Sequence, residues 1–435
     1  MKAITCCVIL ALCVVCEASV LDAYIYAPDA SFKWAKVSEN TSPAGKTTIL
    51  SMTSGTWQGI EWKHELEVVI PAKCDYPKTA ILFITGGHPG GGGSQIPTML
   101  AASAGCPVAV LYGIPNQPLF GGLSEDDLIA HTFVKCMETG DATWPALLPM
   151  TKAAVKAMDV VQEFSKSTPG GEITGFVVSG ASKRGWTTWL TAAADPIRVK
   201  GIAPMVYDNL NLVAQMSRQL KRYGSYSDCI EPYTSRGVQE KLHTLAGRQL
   251  SALVDPWAYR AMFTMPKLIV NGTNDPYWTA DSLNVYWYGL SGSKYVTYVP
   301  NAGHNMSGAN PADVMNAINT CAAFARAIAA GTRLPDVSWK YSFSKTACRL
   351  KTACGVAGSQ ALIWTAKSDT LDFRKSKWKS RPASMIKGGF SGEVALPSKG
   401  YTAVMEALTV PVGDREWSLS TQIQIVDSKG ACGAN

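Results

Sequence analysis

The chain has 435 residues, of which 47% are hydrophobic and 17% are charged. It is long enough to bury large cores and to form two or more domains. The net charge of +7 is modest; we interpret it as diffuse surface charge, so a nucleic-acid partner is not expected.

The first residues are typical of a secretory signal peptide. Lys2 supplies a short positive region, residues 4–16 are apolar but too few to span a bilayer, and Ala18 suits cleavage. We therefore predict a signal peptide over residues 1–18 and a secreted, extracellular product. No later apolar run reaches the ~18 to 20 residues that a membrane helix needs, so no membrane span is expected.

Strand and helix patterns then alternate along the chain. Strands are predicted at 66–70, 80–85, 108–112, 175–181, 199–207, 267–271 and 295–299. Helices are predicted at 149–164, 185–194, 280–290 and 310–330. This alternation predicts a mostly parallel sheet covered on both faces.

Two segments depart from the alternation. Residues 208–262 separate two strands by far more than a usual connection, and they are rich in helix-forming and aromatic residues, which predicts an inserted helical cap. Strand-like runs at 337–343, 361–365 and 422–426 are separated by turns without helical periodicity. We therefore predict a main domain over 19–333 and a small C-terminal antiparallel, β-sandwich-like domain over 334–435.

One strand runs directly into a small-residue turn that carries a serine. The segment Gly-Ala-Ser-Lys-Arg-Gly at 180–185 is typical of a nucleophile elbow, in which a tight strand-to-helix turn exposes the serine hydroxyl. It departs from the usual Gly-x-Ser-x-Gly, because Arg184 occupies the second glycine position and Gly185 follows it. Taken alone, the segment also fits an ordinary strand-to-helix turn.

The partners of a catalytic serine follow it in the order expected for an α/β-hydrolase. Asp275 follows the strand at 267–271, and His304 follows the strand at 295–299. In such a triad His304 takes the proton of Ser182 and returns it to the leaving group, while Asp275 fixes the imidazole tautomer. The order predicts an α/β-hydrolase-like fold with Ser182, Asp275 and His304 as its catalytic residues.

A glycine-rich run at 86–93 follows the strand at 80–85, where such hydrolases supply a backbone N–H to the oxyanion. Gly87 and His88, with the N–H of Lys183, are therefore the candidate oxyanion hole. A flexible surface loop is the alternative. A phosphate-binding loop is disfavoured, because no Lys-Ser/Thr pair follows the glycines.

Charged and aromatic side chains near these motifs are candidates for a substrate pocket. Lys183 and Arg184 would place positive charge beside the nucleophile, or they point away and form a surface ion pair. The candidate aromatic residues, which are more often core than ligand platform, are Trp186, Trp257, Tyr259, Tyr277 and Trp278.

Twelve cysteines are present, of which four, Cys6, Cys7, Cys13 and Cys16, lie in the predicted signal peptide. The eight that remain are Cys74, Cys106, Cys136, Cys229, Cys321, Cys348, Cys354 and Cys432. An even number in an oxidising compartment favours disulfides, whose connectivity stays open. No C-x-x-C pair or histidine cluster accompanies them, so neither a metal nor a cofactor is expected.

Four blocks together, 180–190, 204–211, 265–278 and 298–304, closely resemble the PhoPQ-activated pathogenicity-related protein family, which includes secreted autocrine proliferation repressors of amoebae. The resemblance covers about residues 20–430. It implies an α/β-hydrolase-like domain with a C-terminal β-domain and similarity to serine peptidases of the dipeptidyl-peptidase type. The elbow is also similar to the Gly-Cys-Ser-Arg-x-Gly elbow of glucuronoyl esterases, where the basic residue after the serine assists the oxyanion.

Two functional hypotheses follow. The first is a secreted serine hydrolase that cleaves a peptide or ester substrate through an acyl-enzyme. The second is a secreted signalling or binding protein on a hydrolase scaffold, with a cell-surface receptor as partner. For a dipeptidyl peptidase, Glu231 and Glu240 in the cap are available to bind a substrate amine, but no paired-glutamate motif is present.

Overall fold

The computed structural model describes residues 20–88 and 95–432. Its helices are α1 Val20–Tyr26, α2 Ile96–Ala104, α3 Glu125–Thr139, α4 Leu147–Ser165, α5 Lys183–Ala194, α6 Leu212–Tyr223, α7 Glu231–Thr234, α8 Val238–Lys241, α9 Leu245–Val254 and α10 Pro311–Ala330. The strands up to the end of the parallel region are β1 Lys33–Ser42, β2 Gly45–Trp57, β3 Ile60–Pro71, β4 Thr79–Ile84, β5 Val108–Leu111, β6 Gly175–Ala181, β7 Val199–Met205, β8 Lys267–Gly272 and β9 Lys294–Val299. The later strands are β10 Val337–Phe343, β11 Ala347–Cys354, β12 Gln360–Ser368, β13 Lys379–Pro382, β14 Ser384–Ile386, β15 Gly389–Ala395, β16 Tyr401–Val412, β17 Arg415–Ser420, β18 Gln424–Asp427 and β19 Gly430–Ala431.

The central sheet has the strand order β1-β2-β3-β5-β4-β6-β7-β8-β9. Strands β5, β4, β6, β7, β8 and β9 are parallel, and β1, β2 and β3 join them as antiparallel neighbours. This is the α/β-hydrolase arrangement that the sequence predicted. Because the strands are parallel, the loops that follow β4, β6, β7, β8 and β9 all lie at one edge.

Helices cover both faces of this sheet. Strands β6 and β8 are almost entirely buried and have apolar centres at 176–178 and 268–270, as expected for parallel strands between two helical layers. Neighbouring residues of β4 face opposite sides of the sheet. Leu82 packs in the core with α4 and α5, whereas Ile81 packs in the core with α2 and α10. The sheet therefore has a buried apolar core on each of its two faces.

The cap predicted at 208–262 is helical. It contains α6 to α9 and two short 3₁₀ turns, Asp228–Ile230 and Pro256–Met262, all between β7 and β8. Leu212 and Met216, one turn apart on α6, are buried with the main core. The cap is therefore packed onto the domain beneath it.

The C-terminal strands form antiparallel structure, as predicted. One four-stranded sheet has the order β10-β11-β15-β14, and a second group built on β12, β16 and β17 continues the central sheet through the pairing of Ser420 with Val296. The two groups share a core at Leu350, Ile363 and Val404. Since hydrogen bonding crosses from one region to the other, the division into domains at 333/334 stays a prediction.

The prediction of a helix over 280–290 is wrong. That segment forms two short 3₁₀ turns, Ser282–Val285 and Trp287–Gly289. Its backbone bonds join residues three apart, such as the N–H of Asn284 and the carbonyl of Asp281, and Tyr286, with a φ of −128°, leaves helical geometry between the two turns. The long hairpin β1-β2 and helices α1, α2 and α3 were not predicted.

Three other expectations concern features outside the sheet. The predicted signal peptide lies outside the described residues. All eight cysteines beyond it are described as free thiols, so the disulfide prediction gains no support. In the described part of the chain, no helix has the length and apolar character needed to cross a bilayer.

Candidate functional site

Ser182 lies at the turn between β6 and α5 with a strained backbone. Its φ of 58° and ψ of −125° lie outside the regions that non-glycine residues normally adopt. The turn is held because the Ser182 N–H donates to the carbonyl of Met205 at the end of β7, and the Ser182 carbonyl accepts from Trp186. This is the backbone form of a nucleophile elbow.

The shifted glycine of the motif has a steric reason. A Cβ on Gly180 would lie 2.7 Å from the carbonyl oxygen of Arg184, and one on Gly185 would lie 2.9 Å from that of Met205. Both positions therefore need glycine so that α5 can pack closely on β6 and β7. At the intervening position a large side chain fits, because the side chain of Arg184 extends towards Gly86 in the loop after β4.

Asp275 and His304 are brought together by the loops that follow β8 and β9. The Nδ1 atom of His304 lies 2.7 Å from Oδ2 of Asp275, and the aspartate side chain is only 5% exposed. The second oxygen of Asp275 accepts from the backbone N–H of Tyr277. The two loops are also joined directly, since the N–H of Asn274 donates to the carbonyl of Ala302.

The other imidazole nitrogen is available for chemistry. Nε2 of His304 is buried and has no hydrogen-bond partner among the described residues. In the described structure no hydrogen bond joins it to Ser182. Tyr277 stacks on the imidazole at 4.1 Å between ring centroids and lines the same cavity as Ser182, so it connects the histidine to the nucleophile turn.

The candidate oxyanion loop begins beside the elbow. Ile84 at the end of β4 pairs with Gly180, and a Cβ on Gly86 would lie 2.0 Å from Nη2 of Arg184. The carbonyl of Gly87 accepts from Gly113, and the His88 side chain is 85% exposed. The rest of the glycine run, 89–94, lies outside the described residues. Lys183 is the first residue of α5, where the helix leaves its N–H without an intrahelical acceptor.

The side chains of Lys183 and Arg184 form a partly buried ion-pair cluster. Arg184 donates two hydrogen bonds to Glu125, at 2.8 and 2.6 Å, and the Lys183 ammonium lies 2.8 Å from Glu125 and 3.3 Å from Asp126. The two basic side chains are 7% and 12% exposed, so they are not a surface ion pair. Because two carboxylates balance two cations, the elbow carries no uncompensated positive charge. Sequence reasoning missed Glu125 and Asp126, whose signal is the acidic first turn of α3.

A narrow cavity of about 60 Å³ opens at Ser182 beneath the cap. Of the predicted pocket residues it includes Trp186, Tyr277 and Trp278 but not Arg184, Trp257 or Tyr259. Leu212, Met216, Val238, Leu242 and Leu250 supply much of its apolar wall. Glu231 and Glu240 are exposed and do not line it.

The one carboxylate in the wall of this cavity, Asp126, is already bonded. It accepts from the hydroxyl of Tyr233 at 3.0 Å and that of Tyr277 at 3.4 Å, in addition to its contact with Lys183. Burial raises the pKa of Tyr277, so its phenol remains a donor. The cavity therefore offers no spare carboxylate for a substrate amine.

An open groove of about 880 Å³ has His304 in its wall. Its walls come from the loops after β8 and β9 and from residues 374–377 of the C-terminal region, here named the basic loop. Five of the eight residues at 374–381 are Lys or Arg. The expectation of diffuse charge is wrong at this segment.

Within the described residues, no group of three or more His, Cys, Asp or Glu side chains is arranged to hold a metal ion. The arrangement at the sheet edge instead resembles what acyl transfer requires: a strained serine, an Asp-His pair and a neighbouring helix N-terminus.

Comparisons with known proteins identify a matching family, one relative and several solved structures that the chain resembles. A family model described as "PhoPQ-activated pathogenicity-related protein" matches residues 21–374. A relative named "Autocrine proliferation repressor protein A", from Dictyostelium discoideum, is 34% identical over 380 residues, which are 81% of this chain and 76% of the relative. Among solved structures, acetyl xylan esterase 1 from Thermoanaerobacterium sp. JW/SL YS485 aligns at 14% identity with a TM-score of 0.49, over 69% of this chain and 93% of that one. An acylaminoacyl peptidase aligns at 14% identity with a TM-score of 0.41, over 66% of this chain and 40% of that one.

Proposed function

Because the chain belongs to the PhoPQ-activated pathogenicity-related protein family and has an α/β-hydrolase fold, we propose that it is a serine hydrolase that acts through an acyl-enzyme. The observation that carries the proposal is the 2.7 Å bond from His304 Nδ1 to the buried Asp275, while Nε2 has no hydrogen-bond partner among the described residues. A purely structural histidine at this depth would normally have both nitrogens bonded.

The proposed reaction has two halves. Ser182 Oγ attacks the carbonyl carbon of the substrate while His304 Nε2 takes its proton, and the imidazolium is stabilised by Asp275. The imidazolium then protonates the leaving group, which departs and leaves an acyl-enzyme. In the second half, His304 deprotonates a water molecule, which attacks the acyl carbon. The bond from that carbon to Ser182 Oγ then breaks, the imidazolium returns its proton to Oγ, and the acid is released.

Two features of the site support this sequence of steps. Nε2 of His304 has no hydrogen-bond partner among the described residues, so it is available to take the proton of Ser182 through a bond that tightens when substrate binds. The N–H of Lys183 at the start of α5 supplies one oxyanion donor, aided by the positive end of the helix dipole. The second donor in this proposal is a backbone N–H of the loop that begins at Gly86, beside Arg184.

The cavity at Ser182 favours a small acyl group. Its volume of about 60 Å³ holds more than one water molecule but is well below the 150 Å³ or so that accommodates benzene. Its apolar wall suits a short alkyl chain, and its bonded Asp126 disfavours a free amine. We infer a short-chain acyl ester rather than a dipeptide as the preferred substrate.

The proposal is tested by hydrolysis of 4-nitrophenyl esters with acetyl, butyryl and octanoyl groups. We expect turnover of the acetate, a decline with chain length, and loss of activity in Ser182→Ala. Asp369→Ala, an exposed change in the C-terminal region, is the matched control and should keep wild-type rates. Equal rates in wild type and Ser182→Ala would overturn the proposal.

A second candidate function rests on the relative from Dictyostelium discoideum, whose name describes an autocrine proliferation repressor. In that case the chain is a secreted signal that acts through a cell-surface receptor, and hydrolysis is not required. Conditioned medium containing Ser182→Ala should then repress proliferation of the source cells as wild type does. Repression that is lost with Ser182→Ala would assign the signal to hydrolysis.

A further inference from the structure

We propose that the groove beside His304 binds an anionic group on the leaving-group side of the substrate, and that Lys375 and Lys377 of the basic loop select for it. This inference rests on the proposed function and deepens it. The favoured substrate class is a short acyl ester whose alcohol portion carries a carboxylate or sulfonate-like anion.

The basic loop is fixed to the loops that hold the catalytic acid and histidine. The side-chain amide of Asn274, the residue before Asp275, donates to the carbonyl of Ser376 at 2.7 Å and to that of Arg374 at 3.1 Å. Asn301 accepts from the N–H of Trp378 at 2.8 Å and donates back to its carbonyl at 3.3 Å. These bonds explain how a segment about 100 residues away in sequence becomes part of the groove.

The charge of the groove is unbalanced. Its wall contains Arg374, Lys375 and Lys377 and, among the described residues, no carboxylate. Arg374 is held by Asp372 at 2.6 Å and lies over the ring of Tyr223, so its charge is compensated. Lys375 and Lys377 are exposed, and neither makes an ion pair within 4.0 Å in the described structure.

The groove and the cavity have different catalytic candidates in their walls. The cavity under the cap contains Ser182 but not His304, whereas the groove contains His304 but not Ser182. In the proposed reaction the histidine protonates the leaving group, so that group lies on the histidine side. The acyl portion then occupies the cavity, and the alcohol portion reaches the two lysines.

The charge effect is testable with two esters of nearly the same shape. The substrates are 4-acetoxybenzoate, whose leaving group carries an anionic carboxylate, and the neutral 4-acetoxybenzamide. Each enzymatic rate is divided by the rate of hydroxide-catalysed hydrolysis of the same ester, which corrects for the difference in intrinsic reactivity. Two exposed lysines at about 0.5 kcal/mol each correspond to about a fivefold preference in kcat/KM for the anion. The preference should appear as a lower KM for the anionic ester, with similar kcat values for the two esters. It should decrease as the sodium chloride concentration is raised to about 1 M, where the screening length is about 3 Å.

The variant Lys375→Glu/Lys377→Glu should reduce the preference in kcat/KM for the anionic ester over the neutral amide-bearing ester from about fivefold to below one. The matched control is Lys387→Glu/Lys399→Glu, which makes the same charge change at exposed C-terminal residues outside the groove. It should keep the fivefold preference. An unchanged preference in the first variant, or an equal loss in the second, would overturn the inference.

Failure of the proposed function is a separate outcome. If wild type hydrolyses neither ester, the hydrolase proposal fails, and the groove is tested by binding of 4-hydroxybenzoate and 4-hydroxybenzamide to the full chain by saturation-transfer NMR. Selective binding of the anion that disappears in Lys375→Glu/Lys377→Glu supports the groove. Equal binding of the two compounds contradicts it.

Discussion

The ion-pair cluster beside Ser182 predicts that Glu125→Gln destabilises the protein at neutral pH. The Glu125 carboxylate accepts from Arg184 and contacts Lys183, and both cations are at least 88% buried, with exposures of 12% and 7%. Replacing the carboxylate with an amide keeps the shape but leaves these two cations without their shared anion. Removing one partner from a buried pair is costly because the other charge remains desolvated.

The size of the effect can be worked out from the carboxyl group itself. Burial alone would raise the pKa of Glu125, but Arg184 and Lys183 outweigh it and lower the pKa from 4.5 to about 2. A change of that size corresponds to about 3 kcal/mol, and we reduce it to about 1–2 kcal/mol because the side chain is 42% exposed and screened by solvent. Since the folded pKa is the lower one, this stability is complete above about pH 4.5 and is lost as pH falls towards about 2.

The measurement is urea unfolding followed by tryptophan fluorescence, at pH 7 and at pH 3. At pH 7 Glu125→Gln should lose about 1–2 kcal/mol of unfolding free energy relative to wild type, and at pH 3 the difference should shrink. The matched control is Glu138→Gln, on the same helix, where the carboxylate is 54% exposed and pairs with Lys135 at 3.6 Å. It should lose less than about 0.5 kcal/mol. Equal losses in the two variants, or a Glu125→Gln deficit that does not depend on pH, would refute the reasoning.

Three further predictions concern single residues. Asp275→Asn should lower kcat for 4-nitrophenyl acetate by about 10³ to 10⁴-fold with little change in KM, and a loss below tenfold would contradict its role. Gly86→Ala places a Cβ 2.0 Å from Nη2 of Arg184, and the resulting displacement of the loop should reduce kcat about tenfold in the same assay. The control Gly355→Ala, whose added Cβ has no atom within 4 Å, should leave kcat unchanged. Burial raises the pKa of Glu406 from its ordinary 4.5 to about 7. Between these two pH values the carboxyl group keeps its proton in the folded state but loses it in the unfolded state, so the stability of the fold decreases as the pH rises. Glu406→Gln should therefore be more stable than wild type by about 2–3 kcal/mol at pH 8 but not at pH 4, measured by thermal unfolding, and the same difference at both pH values would contradict this.

The parts of the fold that could be predicted from sequence are those with a local signal. The centres of β6 and β8 are apolar, and Asp275 and His304 follow the neighbouring parallel strands β8 and β9, so their order along the chain predicted that they would lie at the same edge of the sheet. The structure has Nδ1 of His304 2.7 Å from Oδ2 of Asp275, whereas the role of these two residues and Ser182 as a catalytic triad stays a prediction.

Features that depend on distant contacts could not be predicted in the same way. Lys183 and Arg184 carry no local sign that Glu125, almost 60 residues earlier, would neutralise them. The basic loop is visible in the sequence as a run of Lys and Arg, but its place beside His304 depends on the side-chain amides of Asn274 and Asn301. Residues 280–290 have helical periodicity, yet Tyr286 leaves helical geometry and divides them into two short turns, which periodicity does not reveal.

The central claim is that Ser182 is an activated nucleophile. The direct measurement is treatment of the folded protein with a fluorophosphonate, followed by mass spectrometry of the modified peptide, with Ser179→Ala as a control for a serine in the adjacent strand whose hydroxyl bonds to the Ala203 carbonyl. We predict a single phosphonyl adduct on Ser182 that is absent from Ser182→Ala, much reduced in Asp275→Asn and retained in Ser179→Ala. Folded wild-type protein that remains unlabelled, or labelling that persists in Ser182→Ala, would contradict the claim.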